Sequence, residues 1–360
     1  MLPKPKKPTK TALLTFNKEA KNLSDLKTEI SSTLITDRNL WLSYDEDARI
    51  ERLIIKDEDE DQLSFENHCC YELKDFFDLP ADNEMDMEAL AYEEPYLWFC
   101  GSMSLKRNSP DEEDTIEKQL EALQELKLDE NRFSLGCIPC LQKDGNFQLF
   151  KEADYKGEKI TAKMMRGGSK SSELHNALLA DEHLKDFMRI PCKDNGFDIE
   201  GLAVCDSRIL IGLRGPVLNG YAVILEIWCD SLNNELIMQQ RKGESKLYRK
   251  HFIDLNGKGI RELNCFPNGD LYILAGPTMD LDGTISLYKI EGGLEDNYAS
   301  VVHHPERLFD VARGTEIERG EDKAEGVAFL NEKEIIITYD SPQQKRLIGD
   351  NKVAMDVFDL

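Results

Sequence analysis

Asp198-Ile199-Glu200-Gly201-Leu202-Ala203 places two acids and a small residue at the opening of a strand. The form returns in Asp86-Met87-Glu88-Ala89-Leu90-Ala91 and in Lys323-Ala324-Glu325-Gly326-Val327-Ala328. Gly259-Ile260-Arg261-Glu262-Leu263-Asn264 is a looser copy, and Glu29-Ile30-Ser31-Ser32-Thr33-Leu34 is a degenerate one. A turn follows each copy, then a second strand pattern that ends in polar residues, Gly or Pro. Gly212-Leu213-Arg214-Gly215-Pro216 and Ala275-Gly276-Pro277-Thr278 are such endings. Most copies recur at about 60 residues, and a four-stranded unit repeated at a fixed period is the mark of a β-propeller. The fold class expected is therefore all-β, a propeller of five blades.

Working outward, the remaining strand patterns agree. Residues 40–44, 49–55, 208–213, 221–228, 271–275, 285–290 and 334–338 are rich in Ile, Leu, Val, Tyr or Trp and are bounded by turn formers. Asn268-Gly269 and Asp282-Gly283 are tight-turn signals. The final blade is a strand short, and Ala12-Leu13-Leu14-Thr15-Phe16 is expected to complete it beside residues 352–360 and lock the ring. One interval, between Glu88 and Glu200, is about twice the others. Two helix patterns fall inside it, near 109–129 and 172–190, and read as insertions. Ser109-Pro110-Asp111-Glu112 predicts the first helix start, with Ile116, Leu120 and Leu123 on one face. The alternative is six blades, with the extra one between Arg132 and Asp198 using strand-like stretches 133–141 and 147–150. The expected organisation is a basic flexible segment at 1–10, followed by one propeller domain at 11–360.

Composition bounds the partners. Asp and Glu number 69 against 45 Lys and Arg, a net charge of −24. A phosphate backbone is gripped by positive charge, so nucleic acid is an unsuitable partner, and so is an anionic membrane. No apolar run is long enough to span a bilayer, and no apolar core follows the basic start. Nine cysteines lack framework spacing, which fits reduced thiols in the cytoplasm. Cys137 and Cys140 form a C-x-x-C without a second pair at metal-binding spacing.

The repeat suggests where chemistry would sit. Inner strands begin near the axis, so Glu88, Glu200, Glu262 and Glu325 would converge at one mouth. Gly201 and Gly326 would let backbones crowd there. Clustered carboxylates need a cation or arginines, or their pKa values rise. Arg214 and Arg261 are natural partners. The four Glu are also the candidate metal ligands, and their hard oxygens suit calcium or magnesium.

Glu200-Gly201-Leu202-Ala203 with Ile211-Gly212-Leu213-Arg214-Gly215-Pro216 is similar to family 3616 of the bacterial domains of unknown function. Gly257-Lys258-Gly259-Ile260-Arg261-Glu262-Leu263, Leu274-Ala275-Gly276-Pro277, and Trp98 with Gly101-Ser102-Met103-Ser104 carry the same resemblance. It runs from about Glu29 to the end and implies a propeller-like fold without an established activity. Asp198-Ile199-Glu200-Gly201 also resembles, more distantly, the phytase-associated esterase-like and SdiA-regulated families. Ser102, in the 101–104 loop, is a further ligand candidate, although Met103 stands where that pattern would have His.

Two functions follow as expectations. One is a scaffold that binds a protein partner or a small anionic ligand, monomeric on its own. The other is a metal-assisted hydrolase of phosphate or carboxylic esters, with the Glu cluster holding the ion and Arg214 and Arg261 clamping the substrate. No G-x-S-x-G, H-E-x-x-H or phosphate-loop motif occurs. A Glu at a strand start can also simply staple neighbouring sheets through backbone N–H groups.

Overall fold

The computed structural model describes residues 5–44, 47–58, 62–81, 85–168, 170–279, 282–296, 299–312 and 320–360. Short apolar segments bounded by Gly, Asp or Asn satisfy their backbone groups only by pairing, and here they pair in antiparallel runs. The first run is Ile30–Thr36, Asn39–Tyr44, Arg49–Glu58 and Gln62–Glu72. The second is Met87–Glu93, Tyr96–Gly101, Leu135–Lys143 and Lys163–Met165. The third is Asp198–Cys205, Arg208–Gly215, Tyr221–Ile227 and Tyr248–Asp254. The fourth is Gly259–Cys265, Leu271–Gly276, Ser286–Ile290 and Glu306–Val311. Lys323–Phe329, Glu334–Asp340 and Lys352–Asp359 form the last, completed by Lys10–Thr15.

The first strand of each run touches the first strand of the next, and the last returns to the first. The architecture is all-β and propeller-like. Lys10–Thr15 closes it as expected. It is antiparallel to Lys352–Asp359, with Ala12 opposite Met355, and parallel to Gln62–Glu72, with Ala12 opposite Leu63. A short strand at Pro5–Lys6 pairs with Glu306–Val311. The stretch 133–150 forms no separate sheet, because Leu135–Lys143 pairs directly with Tyr96–Gly101.

The core lies between successive runs. Alternation along Arg208–Gly215 shows how it is filled. Ile209, Ile211 and Leu213 pack toward the second run, and Leu210 packs toward the fourth. Fully burying one such side chain contributes about 1.5–3 kcal/mol. The same alternation splits Cys137 from Cys140, which join different clusters on opposite faces of their strand and cannot share an ion. All nine cysteines are unpaired.

Both insertions differ from expectation. The first helix is Ile116–Gln124, capped by Thr115 rather than Ser109. Asp111 accepts from the Glu113 N–H, so a local turn takes the chain where the helix was expected to begin. Its apolar stripe is not buried: Ile116 is 72% and Leu120 55% exposed. The second is only Glu173–Leu178, capped by Ser172. Asp181 accepts from the N–H groups of His183 and Leu184 and breaks the expected longer helix. Leu174, Leu178 and Leu184 are nevertheless buried. Asn268-Gly269 is a tight turn, with Gly269 at φ +91°, whereas Asp282-Gly283 lies in a longer loop before Ser286–Ile290. Among the described residues no helix is long and apolar enough to cross a membrane.

Candidate functional site

All the inner strands carry an irregularity at the same place. Pairing skips Ser31, Glu88, Glu200, Arg261 and Glu325, each of which is the extra residue of a β-bulge. A bulge bends the strand and re-aims one side chain. The six-residue motif is thus the sequence of a bulged strand start, and its key position is occupied by Ser, Glu, Glu, Arg and Glu in turn.

This alignment corrects one assignment. Glu262 does not belong with Glu88, Glu200 and Glu325, because the fourth strand bulges at Arg261. Glu262 occupies the small-residue position instead. Its carboxyl is fully buried and accepts from Ser32 Oγ at 2.7 Å and from the Leu263 N–H at 3.1 Å. Burial pushes its pKa well above the usual range. It acts as an internal staple and has no surface to offer an ion.

The small residues have a local cause. A Cβ on Gly201 would lie 2.9 Å from Leu263 Cγ, and one on Gly326 would lie 2.5 Å from Thr33 Oγ1. Leu263 belongs to the neighbouring run, and at Gly326 both Thr33 of the neighbouring run and Thr338 of its own run fill the space, so the requirement comes from side-chain packing.

The bulged residues meet their partners at the strand-start end. Arg214 donates to Glu200 Oε1 at 2.5 Å and to the Thr278 carbonyl at 3.0 Å, and lies 3.6 Å from Asp198. Arg261 donates to Glu325 Oε1 at 2.5 Å and sits 3.3 Å from Glu200 Oε2, bridging two runs. Arg132 pairs with Asp86 at 2.7 Å and donates to Ser104 Oγ at 3.1 Å. Ser102 is fully buried beside it, accepting from Ser104 at 2.9 Å. Its Oγ also accepts from Arg132 at 3.4 Å. Glu88 is half-buried, and its charge acts on Arg132.

Electrostatics follow from burial. Burial lifts Asp198 to about 8 despite Arg214, with Glu200 and Asp86 adding to the rise. Burial also lifts Glu325 to about 8, with Asp340 adding and Arg261 opposing. Burial works against the charge on Arg214, yet Glu200 and Asp198 hold it protonated. Asp86, Glu88, Asp198, Glu200 and Glu325 thus share Arg132, Arg214 and Arg261, and carboxyls exceed guanidiniums.

Sequence reasoning placed Glu88, Glu200, Arg214, Arg261 and Glu325 here and missed Arg132. Its partner Asp86 opens the second copy of the motif. Only the fold joins Arg132 to the site, since it comes from the stretch before Leu135–Lys143. Beyond the bulges, Leu34, Leu90, Leu202 and Leu263 are among the residues that line a space of about 40 Å³.

Two other polar clusters compete for attention. Asp181, Glu182 and His183 lie close enough to ligate an ion. Lys250 Nζ already occupies the centre, 2.6 Å from Asp181 Oδ2, 2.9 Å from Glu182 Oε1 and 2.8 Å from His183 Nδ1. Hydrogen bonds from Lys246 and Lys250 pull Glu182 down to about 2. An ammonium group thus fills the place a metal would take. His251 is fully buried between Glu226 Oε2 at 2.9 Å and Ser300 Oγ at 2.7 Å. Arg208 also donates to Glu226, and it holds the Leu294 carbonyl at 3.0 Å. The group fastens Leu294 and Ser300 to the third run.

Comparison with known proteins gives a family and distant structural neighbours. The model of the family described as a protein of unknown function, DUF3616, matches residues 29–356. No curated protein matches. Among solved structures, glutaminyl cyclase of Myxococcus xanthus is 9% identical, over 98% of this chain and 100% of that one, with a TM-score of 0.37. A glucose dehydrogenase is 12% identical, over 74% and 83% of the two chains, with a TM-score of 0.33. The WD40 β-propeller domain of Doa1 is 11% identical, over 97% and 95%, with a TM-score of 0.30. None of these lends this chain an activity.

Proposed function

The chain belongs to this family of proteins of unknown function, and we propose that it is a five-bladed binding propeller whose axial mouth receives a small cationic group. Each antiparallel run is one blade in this reading. The pairing of 135–143 with 96–101 supports five blades over six.

The excess of carboxyls over guanidiniums among the bulged and neighbouring residues carries the proposal: burial keeps Asp198 and Glu325 protonated at neutral pH, and a bound cation would take the place of those protons. Arg214 and Arg261 would have to be free to clamp an anion, but both are committed to Glu200 and Glu325. That favours a cation, either a divalent metal or a protonated amine, over the anionic ligand or ester that the sequence suggested. Glu325 and Glu88 are the acids that keep some exposure. Calcium and magnesium remain the ions that hard oxygen ligands would choose. Nine unpaired cysteines support a reducing, cytoplasmic setting.

Calorimetric titration with calcium, magnesium and putrescine tests this on wild type, Glu88→Gln and Glu325→Gln. Saturable binding to wild type that weakens at least tenfold in both variants is the expected result. No binding of any of the three leaves the acids as blade staples and ends this reading.

A further inference from the structure

A cavity of about 610 Å³ lies off the axis, beside the fourth strand of the second run. It is independent of the axial acids, and its volume lies within the range that small-molecule pockets occupy. Phe76, Phe77, Phe133, Ala162, Met164 and Met165 supply its apolar lining. Phe76 and Phe77 lie 6.4 Å apart and tilted, and Phe133 is held edge-on to His175 at 4.8 Å. These rings are therefore fixed by their neighbours. Ser134, Thr161, Ser171 and Asn234 add hydrogen-bonding groups.

The opening exists because the blade edge is split there. Leu135–Lys143 pairs with Lys163–Met165 at one end and with Asn146–Leu149 at the other. Between Asn146–Leu149 and Lys163–Met165 in the chain, Glu152–Tyr155 and Glu158–Thr161 pair with each other as a hairpin.

Charge at the mouth is self-cancelling. Glu152 pairs with Lys159 at 2.8 Å, Glu235 with Arg166 at 3.3 Å, and Glu130 with Lys170 at 3.8 Å. The remaining charged lining groups are one acid, Asp78, and one base, Lys151. Counting the partners of the lining acids, neither sign prevails among the described residues, although the chain as a whole carries −24.

We propose that this cavity is a second binding site, for a small aromatic molecule without net charge. Aromatic and thioether side chains favour a ring through stacking, edge and sulfur contacts. A balanced rim gives no gain to a net cation or anion.

Four compounds with one aromatic body separate these claims. Indole is neutral, tryptophan zwitterionic, indole-3-acetate anionic and tryptamine cationic. Calorimetry on the full chain should show indole or tryptophan saturating one site at least tenfold more tightly than both charged compounds. Ala162→Trp fills the cavity and should weaken that binding at least tenfold. Thr161→Trp, at a half-buried position of the lining, repeats the test should Ala162→Trp not fold. Lys151→Glu should move the preference toward tryptamine. The proposal is overturned by an absence of saturable binding, by equal binding of all four compounds, by binding that survives the filling variants, or by an unchanged preference in Lys151→Glu. Because the axial test uses inorganic cations and putrescine, either site can fail without the other.

Discussion

The inner strands are built alike, yet their two ends behave differently. At the starting end every strand bulges, and the displaced side chains of four strands enter an ionic network, while Ser31 bonds to Ser43 and the Met87 carbonyl. Beyond the bulge the same strands pair regularly, and Leu34, Leu90, Leu202 and Leu263 line a small space. One inserted residue per strand makes the difference. It turns toward partners in adjoining runs a side chain that regular alternation would send elsewhere.

The contrast can be broken most sharply at Glu200. Glu200→Ala leaves Arg214 and Arg261 buried beside a missing carboxylate, and losing one partner of a buried pair costs about 3–5 kcal/mol. A fall of that size in unfolding free energy, read from urea denaturation, is expected. An effect below about 1 kcal/mol would show that the acid end contributes no more than a surface pair.

The apolar end should respond somewhat less. Leu263→Ala is expected to cost about 2–4 kcal/mol by lost burial and the cavity left behind, with no change in pH dependence. Gly201→Ala tests the seam between the two ends, since its Cβ would meet Leu263 Cγ at 2.9 Å. Overpacking of this kind costs about 1–3 kcal/mol, and Leu263→Ala should rescue it in a double variant.

The pH profile sharpens the same comparison. Asp198 and Glu325 hold their protons up to about pH 8 when folded and to about pH 4 when unfolded. Between those values the folded state binds more protons. These two groups therefore reduce stability as pH rises from about 4 to about 8, after which their contribution is flat. Asp198→Asn and Glu325→Gln should flatten the fall in melting temperature over that window. The smallest effect is expected outside the ring, where Leu120→Ser on the exposed helix face should stay within about 0.5 kcal/mol.

Much of this organisation was legible in the residues. The copies opening at Asp86, Asp198 and Lys323, the closing strand around Ala12 and most central strands could be placed from pattern alone. A strand's period and its bounding turns are local, so a sequence carries them openly. The identity of the bulged residue was not legible. Ile260-Arg261-Glu262 offers an acid at a plausible position, but only cross-strand pairing shows that Arg261 is displaced and Glu262 is not. Arg132 and the cavity by Phe76 were hidden for a related reason: each depends on segments distant in the chain meeting in space. The first helix was misplaced because Asp111 captures a nearby N–H and delays its start.

The closing strand has a consequence in time. Lys10–Thr15 is made early, and its parallel partner Gln62–Glu72 follows soon after. Its antiparallel partner, Lys352–Asp359, comes among the last residues of the chain. During synthesis this early strand must keep one edge unfilled while every intervening run is made, and an unfilled edge is a template for any passing strand. The final blade cannot be completed until Lys352–Asp359 takes that edge. The order in which the polypeptide emerges thus gives this protein a long interval of exposure and a single late event that ends it.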